Sequence, residues 1–338
     1  MLAKTENELA EYRNVWVVAE LGAEGVKDVT FELLGAGRRL ADARGSELWC
    51  VLLGPAVCNL APACFHRQAD AVLAVEDPRL ASFVDETYAN VLSRLVEKHK
   101  PEIVLCGATA RGRAVIPRVA VQTYAGLTAD CTGLDIEDDT GLLLQTRPAF
   151  GGNIFATIKC AWHRPQMATV RPRVMAAPEP DPGRTGRLIR EELDPAEAGG
   201  AVRVLQAFGD ACEATGLADA NFIITGGRGI GSPKGFGLLR EFADLVGGAV
   251  GASRAAVDAG WIDYAHQVGQ TGRTVQPNVY LACGVSGQIQ HLVGMQSSDL
   301  ILAINRDPEA PMMKLADYAI VGDLFEILPA MMDEIRRL

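Results

Sequence analysis

Residues 226–239, GGRGIGSPKGFGLL, have the look of a loop that holds a phosphate. They follow the apolar run 221–225 and precede a segment with helical apolar spacing. Neither familiar phosphate loop fits. The dinucleotide fingerprint needs glycines at i, i+2 and i+5, and the third place falls on Ser232 from Gly227 and on Lys234 from Gly229. The P-loop needs Gly-Lys-Ser/Thr, and here the order is Lys234-Gly235. Ser232 and Pro233 read as a helix start, with Ser as N-cap and Pro in the first helical position. Glycines let the backbone come close to whatever sits at the strand end, a helix N-terminus offers N–H groups to an anion, and Arg228 adds a charge. A Gly-rich turn can equally be a tight corner, so this loop alone does not decide.

Four further polar clusters follow candidate strands or loops. Residues 248–254 run through glycine into Ser253 and Arg254, and 267–272 form a polar loop ahead of Arg273. Residues 283–291 give a strand end, a Gly/Ser turn and a helix start carrying Gln290 and His291, and 303–307 end a strand in Asn305 and Asp307. Singly, His291 is what a helix-face histidine looks like, and Asn305 or Asp307 could cap a turn. Together they place polar groups on one edge of an open α/β sheet, where ligands bind. That pattern suits a large, polar, phosphate-bearing ligand.

The elements that must position these residues are legible as alternation. Runs 14–20, 48–54, 71–75 and 102–107 read as buried strands, with helical spacing over 29–44 and 80–99 between them. Strands alternating with helices mean a parallel, helix-covered sheet. After Leu127 the texture changes: 142–147, 154–158 and 167–170 lie close together with glycine between, as in antiparallel strands or an edge extension. Five prolines and four glycines fill 172–200 and read as an inter-domain linker on the surface. Beyond it, strands are expected near 221–225, 248–252, 279–283, 299–304 and 317–321, closed by a helix over 324–338. The expectation is an α/β chain of two domains, 1–200 and 201–338, each a mostly parallel helix-covered sheet.

Composition narrows the class. The 338 residues are 49% hydrophobic and 22% charged with a net charge of −10, which is globular and argues against a nucleic-acid partner. No apolar stretch reaches the roughly 20 residues of a membrane span, and the polar, acidic start at residues 1–8 reads as neither signal nor transit peptide. Eight cysteines form no C-x-x-C pair, and several sit in apolar runs, so buried reduced thiols are expected. Cys58, Cys64 and His66 match no standard zinc spacing.

The motifs GGRG at 226–229, VGASRAAVDAG at 250–260, QVGQTG at 267–272, SGQIQH at 286–291, AINRDPEAP at 303–311 and DYAIVGDLF at 317–325 resemble the alpha subunit of electron-transfer flavoprotein. VWVVAE at 15–20 and PEIVLCGAT at 101–109 resemble its N-terminal half more loosely. The resemblance implies that the C-terminal domain is a Rossmann-like FAD-binding domain, in which the opening loop holds FAD rather than a nicotinamide dinucleotide. It implies a cofactor-binding set of Arg228, Ser253, Arg254, Gln267, Val268, Gly269, Gln270, Thr271, Ser286, Gly287, Gln288, Ile289, Gln290, His291, Asn305, Asp307, Asp323 and Leu324. Arg254 and His291 would lie near the isoalloxazine ring and Thr271 near its N5. A flavin that passes single electrons gains negative charge, which fixed donors and cations stabilise. No proton-transfer pair is needed, and none is named.

The resemblance further implies a heterodimer with a beta subunit, electron exchange with an acyl-CoA dehydrogenase-like flavoenzyme, and a cytoplasmic location. AGLTADCT at 125–132 is similar to the electron-bifurcating and nitrogen-fixation-associated types. In those, a second FAD lies mainly in the beta subunit, NADH is oxidised, and ferredoxin or flavodoxin serves as low-potential acceptor. In the single-flavin type AMP takes that second place. A self-contained NAD(P)-dependent enzyme and a redox-silent nucleotide sensor are the competing classes. The missing G-x-G-x-x-G and the lack of a proton-transfer constellation count against the first, and a flavin absorbance spectrum separates all three.

Overall fold

A computed structural model describes residues 5–22, 25–149, 154–197, 202, 204–205, 216–217 and 220–337. The chain divides into two compact units, Met1–Ala207 and Phe208–Leu338. The expected boundary at 200 lies outside the described residues.

The strands of the first unit are β1 (Val15–Val18), β2 (Leu21–Gly22), β3 (Gly25–Val26), β4 (Leu48–Gly54), β5 (Ala71–Glu76), β6 (Ile103–Gly107), β7 (Gly126–Cys131), β8 (Gly133–Ile136), β9 (Leu143–Ala149), β10 (Ile154–Ile158), β11 (Gln166–Val170) and β12 (Arg187–Glu191). Seven of them form one sheet in the order β12-β5-β4-β1-β6-β11-β7, every pair parallel. Period-two alternation explains how both faces are covered. Val15 and Val17 pack with Leu33, Leu34 and Leu40 of the Asp28–Arg44 helix. Trp16 and Val18 point the other way, with Leu92 and Leu95 of the Asp85–His99 helix and Val115 and Ile116 of the Ala110–Gln122 helix.

Two expectations change here. The 167–170 run is not part of an antiparallel extension. As β11 it pairs in parallel with β6 and β7 inside the main sheet, buried along its whole length. A short apolar run buried on both faces carries no periodicity that could separate the two cases. The antiparallel extension is β10-β9-β8 instead.

The stretch 172–200 is not wholly a linker either. Within it, β12 joins the sheet beside β5. Leu188 packs on one core and Ile189 on the other, and Arg187 N–H donates to Asp70 O at 3.0 Å. The strand begins just after Gly186, where a Cβ would strike the Phe65 ring at 2.5 Å.

The order reverses between β1 and β6, and a carboxylate lines the crevice beyond them. Buried Glu20 accepts from Lys27 Nζ at 2.9 Å and from the Thr109 hydroxyl. Thr109 in turn caps the Ala110–Gln122 helix, accepting from Gly112 N at 3.1 Å.

The second unit holds β13 (Phe222–Gly226), β14 (Ala249–Ala252), β15 (Val279–Cys283), β16 (Leu300–Asn305) and β17 (Tyr318–Val321), close to the expected runs. Their order is β14-β13-β15-β16-β17, all parallel. One face is covered by the Gly235–Val246 and Leu324–Ile335 helices through Phe236, Leu239, Phe242, Leu324 and Leu328. The other packs Tyr280 and Ala282 against Val268, Met295 and Met312. No helix among the described residues is long and apolar enough to cross a membrane.

Candidate functional site

Strand order in the second unit reverses between β13 and β15, which marks the crevice where open α/β sheets take ligands. The two turns leaving these strands are packed backbone on backbone. Gly227 N donates to Cys283 O at 2.9 Å and Gly229 N to Gly284 O at 3.0 Å. A Cβ on Gly227 would sit 2.2 Å from Gly284 O. These glycines therefore admit the neighbouring turn, where the sequence suggested that they admit a ligand. The helix start also differs from expectation. Ser232 O accepts from Gly235 N at 3.1 Å, and the helix begins at Gly235 with Lys234 as an N-cap lacking a side-chain bond. One tight turn thus stands where Ser232 and Pro233 were expected to cap. Arg228 is exposed on this turn.

At the end of β14, Ser253 N donates to Gly226 O at 2.9 Å, tying this loop to the same crevice. Its Oγ is buried, does not cap the Arg254–Asp258 helix, and finds no hydrogen-bond partner among the described residues. Arg254 is exposed, with Nε 3.3 Å from Asp258 Oδ2. The 267–273 loop is hung from β14 by Val268 N to Ala252 O at 2.9 Å, and from the 289–292 segment by Gln270 N to Gln290 O at 2.7 Å. Inside that loop Gln267 Nε2 donates to Thr271 Oγ1 at 3.1 Å. Gly269, at φ +143, lies against Gln290 O, where a Cβ would come within 2.8 Å.

Beyond β15, Gly287 takes φ +83 against the backbone of Met312, whose N–H donates to Ser286 O at 3.2 Å. Asn305 Nδ2 donates to Val285 O at 3.0 Å, while Asn305 Oδ1 and Asp307 Oδ1 accept from Asp307 N and Glu309 N. The turn-capping reading of these two residues is thus what the chain itself uses them for. Asp323 caps the last helix through Phe325 N at 2.9 Å, and that bond, with the Arg306 partner, holds its carboxyl below the usual range. Leu324 is core.

The structure sorts the expected residues into three groups. Arg228, Arg254, Gln270, Thr271, Ser286, Gln288, Ile289, Gln290 and Asp307 are exposed along the edge. Gln267, Val268, Gly269, Gly287, His291 and Leu324 are buried beneath it, and Ser253, Asn305 and Asp323 lie between. Hydrogen bonds link the loops from Ser253 through Gly226 and Cys283 to Asn305, so the sheet presents one continuous rim.

His291 is the most altered of the set. Its Nε2 is 2.9 Å from the Tyr280 hydroxyl, and burial lowers its pKa to about 4, so the ring is neutral at pH 7. Tyr280 escaped the sequence reading. The available signal was a single polar tip in the otherwise apolar run 279–283.

This rim suits a ligand with phosphates and a polar ring edge. The guanidinium groups of Arg228 and Arg254 are exposed on it, and two buried polar atoms, Ser253 Oγ and His291 Nδ1, have no partner among the described residues. Fold and rim together define an α/β protein that binds a nucleotide cofactor. Residues 15–196 match the electron transfer flavoprotein domain, and residues 216–296 match the electron transfer flavoprotein FAD-binding domain. The chain is 50% identical over 328 residues to the electron transfer flavoprotein subunit alpha of Thermoanaerobacterium thermosaccharolyticum, covering 97% of this chain and 99% of that one. It is 46% identical over 330 residues to protein FixB of Clostridium saccharobutylicum, covering 98% of each. It is 39% identical over 363 residues to the acryloyl-CoA reductase electron transfer subunit beta of Anaerotignum propionicum, covering 99% of each. The chain belongs to the electron transfer flavoprotein family, among its alpha subunits, and its cofactor is FAD.

Proposed function

We propose that this chain holds FAD on the rim of the second sheet and, paired with a beta subunit, exchanges electrons with an acyl-CoA dehydrogenase-like flavoenzyme. The observation that carries the site is the pair of orphaned buried atoms on its loops, Ser253 Oγ and His291 Nδ1. When bound, the flavin supplies the one-electron chemistry that amino-acid side chains lack. The chain's own part is placement. Gln267 orients the Thr271 hydroxyl, and Arg254 contributes a fixed cation. Neutral His291 contributes a dipole, and Arg228 meets phosphate. The paired glycine turns keep that rim rigid.

The finer reading is flavin-based electron bifurcation from NADH, with ferredoxin or flavodoxin as the low-potential acceptor. It is supported by the 125–132 stretch, which the structure forms as β7, and by the FixB and acryloyl-CoA reductase relatives. The test is to co-purify the chain with its beta subunit, denature the complex, and count FAD and AMP. Two FADs per heterodimer support bifurcation. One FAD and one AMP would place the protein in the single-flavin class, and no flavin would overturn the site itself.

A further inference from the structure

We propose that Tyr264 is a positioning residue of the flavin site: its phenol pins the Thr271–Gly272 peptide, so that the Thr271 hydroxyl stays turned toward the bound flavin. This rests on the FAD site proposed above. Tyr264 lies between the motifs at 250–260 and 267–272, and its side chain is 63% exposed. Its hydroxyl nonetheless donates to the main-chain oxygen of Thr271, seven residues further on.

The arm that carries the phenol is fixed at its base. Ile262 packs with Val250 and Ala252 of β14. Tyr264–His266 form a short 3-10 turn, closed by Gln267 N donating to Tyr264 O at 2.9 Å. His266 Nδ1 lies 2.6 Å from Val250 O. The ring therefore projects from a frame held to β14 at both ends, at Ile262 and at His266.

Thr271 stands exposed at the tip of the 267–273 loop. Arg273 N donates to Gln267 O at 2.7 Å and Gly272 N to Gly269 O at 3.1 Å, which closes the loop on itself. That closure requires glycine at 272, where a Cβ would sit 2.3 Å from Gln267 O. Glycine also admits a wide range of backbone angles, so the peptide between 271 and 272 is where the loop tip turns most easily. Tyr264 bonds the oxygen of that peptide and removes the freedom that the glycine brings.

The side chain of Thr271 is held separately. Buried Gln267 donates from Nε2 to Thr271 Oγ1 at 3.1 Å. A hydroxyl has one proton to give, and an oxygen already accepting from beneath turns that proton outward, to the exposed side of the rim. With its carbonyl pinned by Tyr264 and its hydroxyl fed by Gln267, Thr271 presents one donor in one direction. A fixed donor facing a flavin stabilises the electron it gains without reorganising.

The experiment uses the co-purified, FAD-loaded heterodimer with carbon-13 in its threonine methyl groups. Wild type, Tyr264→Phe, Thr271→Val and the double variant are compared by methyl spectrum, by one-electron potential of this chain's flavin and by flavin content. Wild type is expected to show a single sharp Thr271 methyl resonance, identified as the one that Thr271→Val removes. Tyr264→Phe, which keeps the ring and loses the hydroxyl, should broaden or split that resonance while FAD stays bound. It should also weaken the preference for the reduced flavin about threefold to tenfold, about 28–59 mV for a one-electron couple. In the Thr271→Val background the Phe substitution should leave the potential unchanged.

A Thr271 resonance that ignores Tyr264→Phe overturns the inference whatever the potential does, and so does a moved resonance with an unmoved potential. An equal potential shift in the Thr271→Val background also overturns it, since Tyr264 would then act without Thr271. Thr271→Val that changes neither potential nor flavin content overturns the placing of FAD against this loop instead, and with it the role given to Tyr264.

Discussion

Gly229 and Gly284 stand back to back: a Cβ on either would lie 2.8 Å from the Cα of the other. Both obstacles are backbone, so no rotamer change relieves them. Gly284 also takes φ +62, a conformation that side chains disfavour. Gly284→Ala is expected to lower stability by about 2–4 kcal/mol, combining overpacking with backbone strain, and to weaken FAD retention. Gly237 is the contrasting case. It is helical, and a Cβ there meets nothing within 4 Å, so Gly237→Ala should raise stability by about 0.5–1 kcal/mol. Urea midpoints for both variants, with flavin absorbance after gel filtration, check the pair. Equal effects of the two changes would contradict the packed-turn account.

Arg254 separates charge at the flavin from charge on the surface. Its contact with Asp258 is exposed and one helical turn away, which is worth about 0.5 kcal/mol or less. Arg254→Ala should therefore leave the unfolding midpoint nearly unmoved. If the guanidinium lies against the ring, the oxidised to one-electron-reduced potential falls by roughly 60–130 mV, from a charged hydrogen bond of roughly 1.5–3 kcal/mol. Arg254→Lys should keep part of the effect, because the charge survives and the planar fork does not. FAD should stay bound. Unchanged potentials in a spectroelectrochemical titration would assign Arg254 to Asp258 alone.

His291 predicts an acid sensitivity with a definite sign. Its folded value of about 4 lies below the ordinary 6.5 because burial disfavours the charged ring. The folded state then binds fewer protons than the unfolded one, so stability is intact above pH 6.5 and is lost as pH falls toward 4. Between pH 7 and 4.5 the loss should be roughly 2–3 kcal/mol. Carboxylates such as Asp323 add their own acid loss, so the readout is the difference in slope between wild type and His291→Asn. Parallel slopes would mean that the imidazole ionises as easily in the fold as in water.

Assembly is the fourth expectation. Ile154, Phe155 and Trp162 of the first unit are 55%, 63% and 68% exposed, more apolar surface than strand β10 and the following loop would ordinarily leave in water. Expressed alone, the chain should be poorly soluble or lose FAD, and co-expression with the beta subunit should rescue it. A stable, flavin-replete monomer would be the contrary result.

Much of this was readable from residue pattern. Runs such as 48–54 and 279–283 announce strands because they are β-rich and flanked by Gly or polar residues, and the structure places them within a residue. The rim was legible because polar residues recur after each strand of the second sheet. The parts that escaped depend on neighbours distant in sequence. Nothing local distinguishes a parallel inner strand at 166–170 from an antiparallel edge. Leu188 and Ile189 show their opposite faces only once β5 lies beside them. Gly227 and Gly229 advertise room, but what fills it is Gly284, more than fifty positions away.

The crevice of the first sheet is chemically unlike that of the second. Both units present a strand-order reversal with a helix beyond it, yet in the first the anion's place is taken by Glu20, already matched by Lys27 and Thr109. A phosphate arriving there would meet that buried carboxylate, with the Arg111 guanidinium on the same cavity's wall. Two pleated sheets of one design are thus chemically unlike at the same point: the second presents an orphaned hydroxyl and imidazole atom, the first a carboxylate already engaged.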